Sequence, residues 1–351
     1  MGAKRKVYLT WLGLLVSAIC LFLFVKDIYP HYEETLDALK QARVPWLILG
    51  ALSIAASLLV RAYRWRVFLG GEHRSISITR LFNTLTIGFF GNLVFPARAG
   101  EFLRPYMLAR AEPVGFSEAF ATIVVERVFD LIAVLFAFAL MCVLAPFPAE
   151  ALARWEQQFA YLKFLGWLMG FATLLFTLFL CLLVRMPQRV YRLMERLTRW
   201  LPSHLQEILL HAVESFVRGL STFHSLKAAF RALAWTAAIW FTILLSEYFT
   251  IVAFDIPVSL FGTLILMSLL AFAVMVPQGP GYLGPFQLAS KFTLIGYFAI
   301  AEAQAEAYAI VLWLVQLTPI LLLGLVCLHL EGITLKSFWR AVRVRQETGQ
   351  V

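Results

Sequence analysis

The chain has 351 residues, of which 61% are hydrophobic and only 15% charged, with a mean hydropathy of +0.79. A soluble chain is about half apolar and a quarter charged, so this one has too few polar residues to face water and its main solvent is lipid. Disorder, a nucleic-acid-binding domain and a disulfide-built secreted scaffold are excluded on that ground, and the net charge of +9 is read as membrane topology.

A helix needs about 20 mostly apolar residues to cross a bilayer. The first such run is 7–25, preceded by Lys4, Arg5 and Lys6. A cleaved signal peptide would have a shorter apolar region and a small-residue cleavage site. This run is long and ends at Lys26-Asp27, so it reads as an anchor. Further full spans are predicted over 45–62, 118–145, 161–184, 233–254 and 308–329, six in all. Two other apolar runs are interrupted. Residues 81–95 stop at Pro96; residues 260–276 stop at Pro277, with 286–300 following a Gly/Pro-rich break. Irregular backbone at membrane depth is tolerated only inside protein or along a wet cavity, so both are expected to be broken or re-entrant. The fold expected is an all-α polytopic membrane protein in one domain over 1–351. Its first half would run over 45–145 with a re-entrant 81–111, and its second over 233–329 with a break at 277–285.

Charge sets the orientation. With the N-terminus in the cytoplasm and 81–95 dipping in and returning, 23 of the 30 Lys and Arg residues fall inside. Six stay outside (Lys26, Lys40, Arg43, Arg154, Lys163 and Lys291), and Arg127 is within a span. This is a strong positive-inside bias; a full crossing at 81–95 would invert every later segment and largely cancel it. Both termini are therefore placed in the cytoplasm and the protein in the inner membrane. Within 185–231, RVYRLMERLTRW and HLQEILLHAVESFVRGL space apolar residues at i, i+3, i+4 and i+7, as amphipathic helices at the inner surface do.

The two breaks match in layout. Phe95-Pro96-Ala97-Arg98-Ala99-Gly100 and Val276-Pro277-Gln278-Gly279-Pro280-Gly281 each follow an apolar arm with Pro-x-x-x-Gly. By the topology above they enter from opposite sides, which is the mark of an inverted repeat; paired broken helices of this kind form substrate sites near the midplane of transporters. Polar residues gather there. Asn92, Arg98, Glu101 and Arg104 lie at the first break. In the next span Glu126, Arg127 and Asp130 fall within about 100° of one helix face. Charges at that depth are costly and face a cavity or each other. The plain alternative is a self-neutralising Arg-Glu-Arg and Glu-Arg-Asp cluster that pins the first re-entrant loop to the 118–145 helix. Glu247 and Lys291 are two further charges inside apolar stretches, read as a pair.

No metal, nucleotide or hydrolase motif is found. Cys20, Cys142, Cys181 and Cys327 lie singly in apolar runs without disulfide or metal spacing, the six histidines are scattered, and no cofactor is expected.

NLVFPARAGEFLRPYML resembles the N-x-x-x-P-x-R-x-G-E-x-x-R signature of the flippase-like domain family, the transmembrane region of lysyl-phosphatidylglycerol synthases and their stand-alone relatives. VVERVFDLIAV resembles the family's E-R-x-x-D helix, PQGPGYLGPFQ its P-x-x-P-G-x-x-G-x-x-E/Q break, and Arg64-Trp65 its Arg-Trp pair. The resemblance implicates Pro96, Arg98, Gly100, Glu101, Arg104, Glu126, Arg127 and Asp130, then Pro280, Gly281 and Gly284; Gln287 stands where many members carry Glu. The soluble synthase domain of the two-domain relatives has no counterpart in this sequence, so lysylation of lipid is not expected of it.

These readings converge on a transporter of the flippase or scramblase type. The substrate would be a phospholipid or a lipid-linked headgroup moved between leaflets. Arg98 and Arg104 would meet phosphate, with Glu101, Glu126 and Asp130 positioning them and Asn92, Arg127, Gln278 and Gln287 completing the site. No catalytic motif is found, so no enzyme activity is expected. Two other classes stay open: an integral-membrane glycosyltransferase or lipid-modifying enzyme, and a scaffold of a lipid or glycan synthesis pathway. The partners expected are membrane lipids with an anionic or lipid-linked headgroup and not nucleic acid, with a second copy or a synthesis-pathway component as further candidates.

Overall fold

A computed structural model describes residues 2–70, 73, 75–95, 100–144, 186–199, 226–275 and 279–333, with scattered positions between 164 and 210. Apart from isolated positions the predicted span 161–184 lies outside the described residues, as do residues 211–225, Pro96, Arg98, Pro277 and Gln278. Every regular element described is helical: α1 (Gly2–Ile28), α2 (Tyr32–Gln41), α3 (Val44–Leu69), α4 (Ile78–Val94), α5 (Gly100–Ala111), α6 (Phe116–Leu144), α7 (Pro187–Thr198), α8 (Leu226–Ala253), α9 (Leu260–Met275), α10 (Pro285–Phe298) and α11 (Glu302–Leu330).

Four stretches are long and apolar enough to cross a membrane by length and composition: Gly13–Gln41, Val44–Leu69, Lys227–Ala253 and Glu302–Leu330. The predicted span 118–145 is a single 29-residue helix, α6. The long helices carry large apolar side chains on their outer faces, among them Ile19, Phe22, Ile48, Leu52, Phe241, Leu322 and Val326. That inverts the pattern of a water-soluble bundle and is what a lipid solvent selects. The protein is an integral membrane protein.

The antiparallel pair α3 and α8 is the scaffold, with Gly50 close against Ser246 at one end and Arg64 bonded to Thr236 toward the other. Contacts define two ends of the molecule. At the first, Arg80 at the start of α4 pairs with Glu331 past α11 and lies 3.7 Å from Glu112 past α5. At the second, the Arg43 amide before α3 donates to the Ala253 carbonyl at the end of α8, and Gln304 at the start of α11 donates to the Phe254 carbonyl.

The two interrupted runs are two helical hairpins. In the first, α4 and α5 pack antiparallel, Gly91 lying against Gly100 and Gly88 against Arg104. At 17 and 12 residues, their arms reach about 26 and 18 Å, short of a core about 30 Å thick. In the second, α9 and α10 have 16 and 14 residues, and Gly262 lies against Phe298. The first hairpin springs from the Arg80 end and the second from the Arg43 end. Their tips meet: Gly281 lies beside the Leu93 carbonyl at the end of α4, and its own carbonyl accepts from the Trp313 indole at 2.7 Å.

Local chemistry fixes these turns. Ser77 caps α4 by accepting from the Arg80 amide at 3.2 Å. Pro285 opens α10 at a position whose N–H would have no helical partner. Gly284 before it has φ +97°, and a Cβ there would fall 2.6 Å from the Ser17 carbonyl of α1. The same Ser17 accepts from the Gly279 amide at 2.7 Å, so α1 clasps the second tip.

Candidate functional site

The polar residues of the first break converge with two that lie elsewhere in the chain. Glu126 of α6 is fully buried and takes both Nη atoms of Arg104, at 3.1 and 3.3 Å. Arg127 Nη2 reaches the same carboxylate at 2.7 Å. Arg64 of α3, also fully buried, lies 3.5 Å from Glu126 and grips Asp130 with two nitrogens, at 2.5 and 3.2 Å. Its Nη1 also donates to Thr236 of α8 at 3.1 Å. Arg61 stands 4.0 Å from Asp130, and Glu101 lies 3.8 Å from Arg127.

Aromatic rings and glycines hold this network in place. The Arg104 guanidinium lies over Trp65, 4.5 Å from the ring centroid. Trp65 in turn donates to Thr122 at 2.8 Å. Gly88 leaves the space that the Arg104 stem fills, since a Cβ there would sit 2.1 Å from Arg104 Cγ. Beneath them Phe68, Leu81, Leu85, Leu108 and Val125 form a close-packed core. In such surroundings charges persist only when paired and hydrogen-bonded.

The balance is unequal. Among the described residues, Arg61, Arg64, Arg104 and Arg127 face Glu101, Glu126 and Asp130, four guanidinium groups against three carboxylates. Their accessibility differs as well. Arg64 and Arg104 are at most 2% exposed, whereas the Arg127 side chain is 35% exposed. Arg127 lies near Tyr282 of the second tip. Among the described residues, the most exposed cation of the network is thus at the meeting of the hairpins.

Several expectations change. The plain alternative was a cluster that balances its own charge; Arg98, one of its members, lies outside the described residues, and Arg61 and Arg64 join the described ones. Glu101 and Arg104 share a helix face but not a partner, because Glu126 takes Arg104. The short contacts of Asp130 go to Arg64, with Arg127 at 3.8 Å. Arg104, expected to meet phosphate, is sealed under Trp65. Asn92 is buried at the first tip, and its Oδ1 has no hydrogen-bond partner among the described residues. Gln287 does not join the network: its Oε1 accepts from the Gly284 amide at 2.7 Å and caps α10. Arg98 and Gln278 lie outside the described residues. Arg61 and Arg64 were absent from the site expected from sequence; the Arg64-Trp65 pair was the available signal.

Lys291 does not pair with Glu247. Its ammonium, on the return arm of the second hairpin, bonds Glu306 at 2.8 Å and Asp27 at 3.1 Å, and Thr35 donates to Glu306 at 2.9 Å. The layout parallels the first hairpin, where the return-arm Arg104 pairs with Glu126 on the long helix that comes next. Among the described residues no cluster of His, Cys, Asp and Glu suited to a metal ion is found.

Comparison with known proteins adds a family. The family model described as "Lysylphosphatidylglycerol synthase TM region" matches residues 10–324, which contain every described residue of the network. A UPF0104 membrane protein of Pyrococcus horikoshii is 30% identical over 105 residues, 29% of this chain and 31% of that protein. A UPF0104 membrane protein of Methanothermobacter thermautotrophicus is 30% identical over 154 residues, 44% of this chain and 40% of its own. Glycosyltransferase AglD of Haloferax volcanii is 25% identical over 318 residues, 85% of this chain but 50% of AglD. The aligned stretches span between about a third and a half of these relatives.

Proposed function

The chain belongs to the family of lysylphosphatidylglycerol synthase transmembrane regions, and from that premise we propose that it carries an anionic phospholipid or lipid-linked phosphate headgroup between the leaflets of the inner membrane. One observation carries this reading: Arg127, the member of a buried ionic network with the most exposed guanidinium among the described residues, is partly exposed where two opposed hairpin tips meet. A headgroup crossing hydrocarbon needs a polar path while its tails stay in lipid, and short re-entrant arms can line one. A guanidinium suits phosphate because it offers paired donors. Arg127 is the contact in this account, with Arg98 expected beside it, and Arg64 and Arg104 hold the carboxylates that position it. The two hairpins act as halves of an inverted repeat, the Arg104–Glu126 and Lys291–Glu306 pairs being its corresponding anchors. The termini lie in the cytoplasm.

The test is exchange of an acyl-labelled fluorescent phosphatidylglycerol in liposomes containing the purified protein, followed by quenching from outside. Arg127→Gln leaves Glu126 paired with both Arg104 and Arg64, so it should fold. Exchange should fall at least about tenfold, the equivalent of roughly 1.4 kcal/mol. A folded Arg127→Gln protein that exchanges lipid like the parent overturns the site.

A second reading has one observation in its favour, the alignment of the relative named glycosyltransferase AglD along 85% of this chain. The Arg127 site would then hold a lipid-linked phosphate during sugar transfer. Transfer of a labelled sugar from a lipid-linked donor by the purified chain, with no lipid exchange in liposomes, would favour it.

A further inference from the structure

Glu247 is the buried acid that the network does not use. It lies in α8, is 2% exposed, and faces α11, where Gln316 stands against its carboxyl and the Tyr308 hydroxyl donates to its backbone carbonyl at 3.2 Å. Its Oε2 has no hydrogen-bond partner among the described residues. Nor do Ser246 Oγ beside it and Trp240 Nε1 two turns earlier on the same face. Buried polar atoms are nearly always satisfied, so a run of unpartnered ones calls for a bound species.

The groups around Glu247 narrow what that species is. From α11, Tyr308 is the titratable neighbour; Glu306, further toward the start of α11, is engaged by Lys291. From α3, the glycine Gly50 lies alongside, while Arg43 pairs with Asp255 and Arg61 belongs to the network. From α6, Glu126, Arg127 and Asp130 are held near Thr236, eleven residues or about 16 Å along α8. The α9 sequence LFGTLILMSLLAFAVM holds no ionisable side chain. No described cation therefore compensates a carboxylate here. A bare charge at this depth is expensive, and a single proton on one carboxylate oxygen removes it. A sodium ion would need several more oxygen ligands than the one carboxylate supplies, whereas a proton needs none.

We propose that Glu247 exchanges a proton during lipid movement and thereby couples the transport described above to the proton gradient. This rests on the proposed function. In each cycle the carboxyl gives up its O–H proton to water on one side and takes one from water on the other; no bond to lipid forms. The rigid α8, which carries both Glu247 and the Thr236 contact to Arg64, links the acid to the headgroup site.

The experiment uses the same fluorescent phosphatidylglycerol in liposomes of phosphatidylethanolamine and phosphatidylglycerol, with and without an imposed proton gradient. With one proton per lipid, each pH unit should bias the leaflet distribution about tenfold, and Glu247→Gln should show no bias. A Gln variant that responds like the parent overturns the proposal. So does a parent that moves lipid but ignores a proton gradient or follows a sodium gradient, and in that case the transport reading survives. A readout independent of transport is labelling of the parent in membranes by dicyclohexylcarbodiimide, which attacks protonated carboxyls in apolar surroundings. Glu247 should be modified and the ion-paired Glu306 should not. If the parent moves no lipid, or the Gln variant does not fold, this labelling decides: modified Glu247 supports proton exchange, and unmodified Glu247 overturns it.

Discussion

Arg64 is the residue on which the network turns, since it bridges Glu126, Asp130 and Thr236 from a position with no exposure. Asp130→Ala should strand it. Loss of one partner of a buried pair costs roughly 3–5 kcal/mol in soluble proteins, with smaller values in membranes. The expected outcome is a clear loss of folded protein and of thermal stability in detergent, measured by size-exclusion after heating. Adding Arg64→Met to Asp130→Ala should recover part of it. Equal instability of single and double variants would show that the two residues are not coupled. Glu101→Gln, at a side chain 22% exposed, should cost much less stability and instead change the dependence of exchange on headgroup charge. Sequence placed Glu126, Arg127 and Asp130 together because three residues on one helix face need no long-range knowledge. It could not place Arg64, which comes from a helix about 60 residues earlier, nor show that Trp65 would roof Arg104. Which guanidinium remained reachable depended on that packing.

At the scale of elements, the first hairpin exists because two backbones touch. A Cβ on Gly100 would lie 1.8 Å from the Gly88 carbonyl oxygen, a clash that only separation of α4 and α5 relieves. Gly100→Ala should therefore abolish monodisperse folded protein. Gly296 in α10 has open space around it; Gly296→Ala should be neutral or raise the melting temperature slightly, by the roughly 0.5–1 kcal/mol that Ala gains over Gly in a helix. Melting curves of the two variants check both, and a folded, stable Gly100→Ala would contradict the packing. The broken segments were legible because Pro and Gly interrupt apolar runs at fixed spacing. The meeting of the tips was not, since Leu93 and Gly281 are joined by nothing local in the sequence.

For the whole molecule, the charge distribution predicts the Arg80 end to be cytoplasmic, together with both termini. A C-terminal reporter active only in the cytoplasm should score positive, and cysteine labels near Asp255 should react from outside. A C-terminus found outside would overturn the orientation and the reading of two opposed halves. The helical class and the apolar exterior followed from composition alone. Four of the six expected spans coincide with stretches that qualify by length and composition, α6 covers the predicted 118–145 as one helix, and 161–184 lies largely outside the described residues.

The short hairpin arms also constrain biosynthesis. A charged residue near the centre of a single inserting helix costs about 2.5–3.5 kcal/mol, and α5 presents Arg104 before its counter-ion Glu126 has been synthesised. The arm that carries Arg104 cannot settle at depth when it leaves the ribosome. It must wait at the interface until α6 arrives, then slide in with its carboxylate already beside it. A chain arrested before Glu126 should therefore leave this segment open to aqueous alkylating reagents, and one extended past Asp130 should close it off.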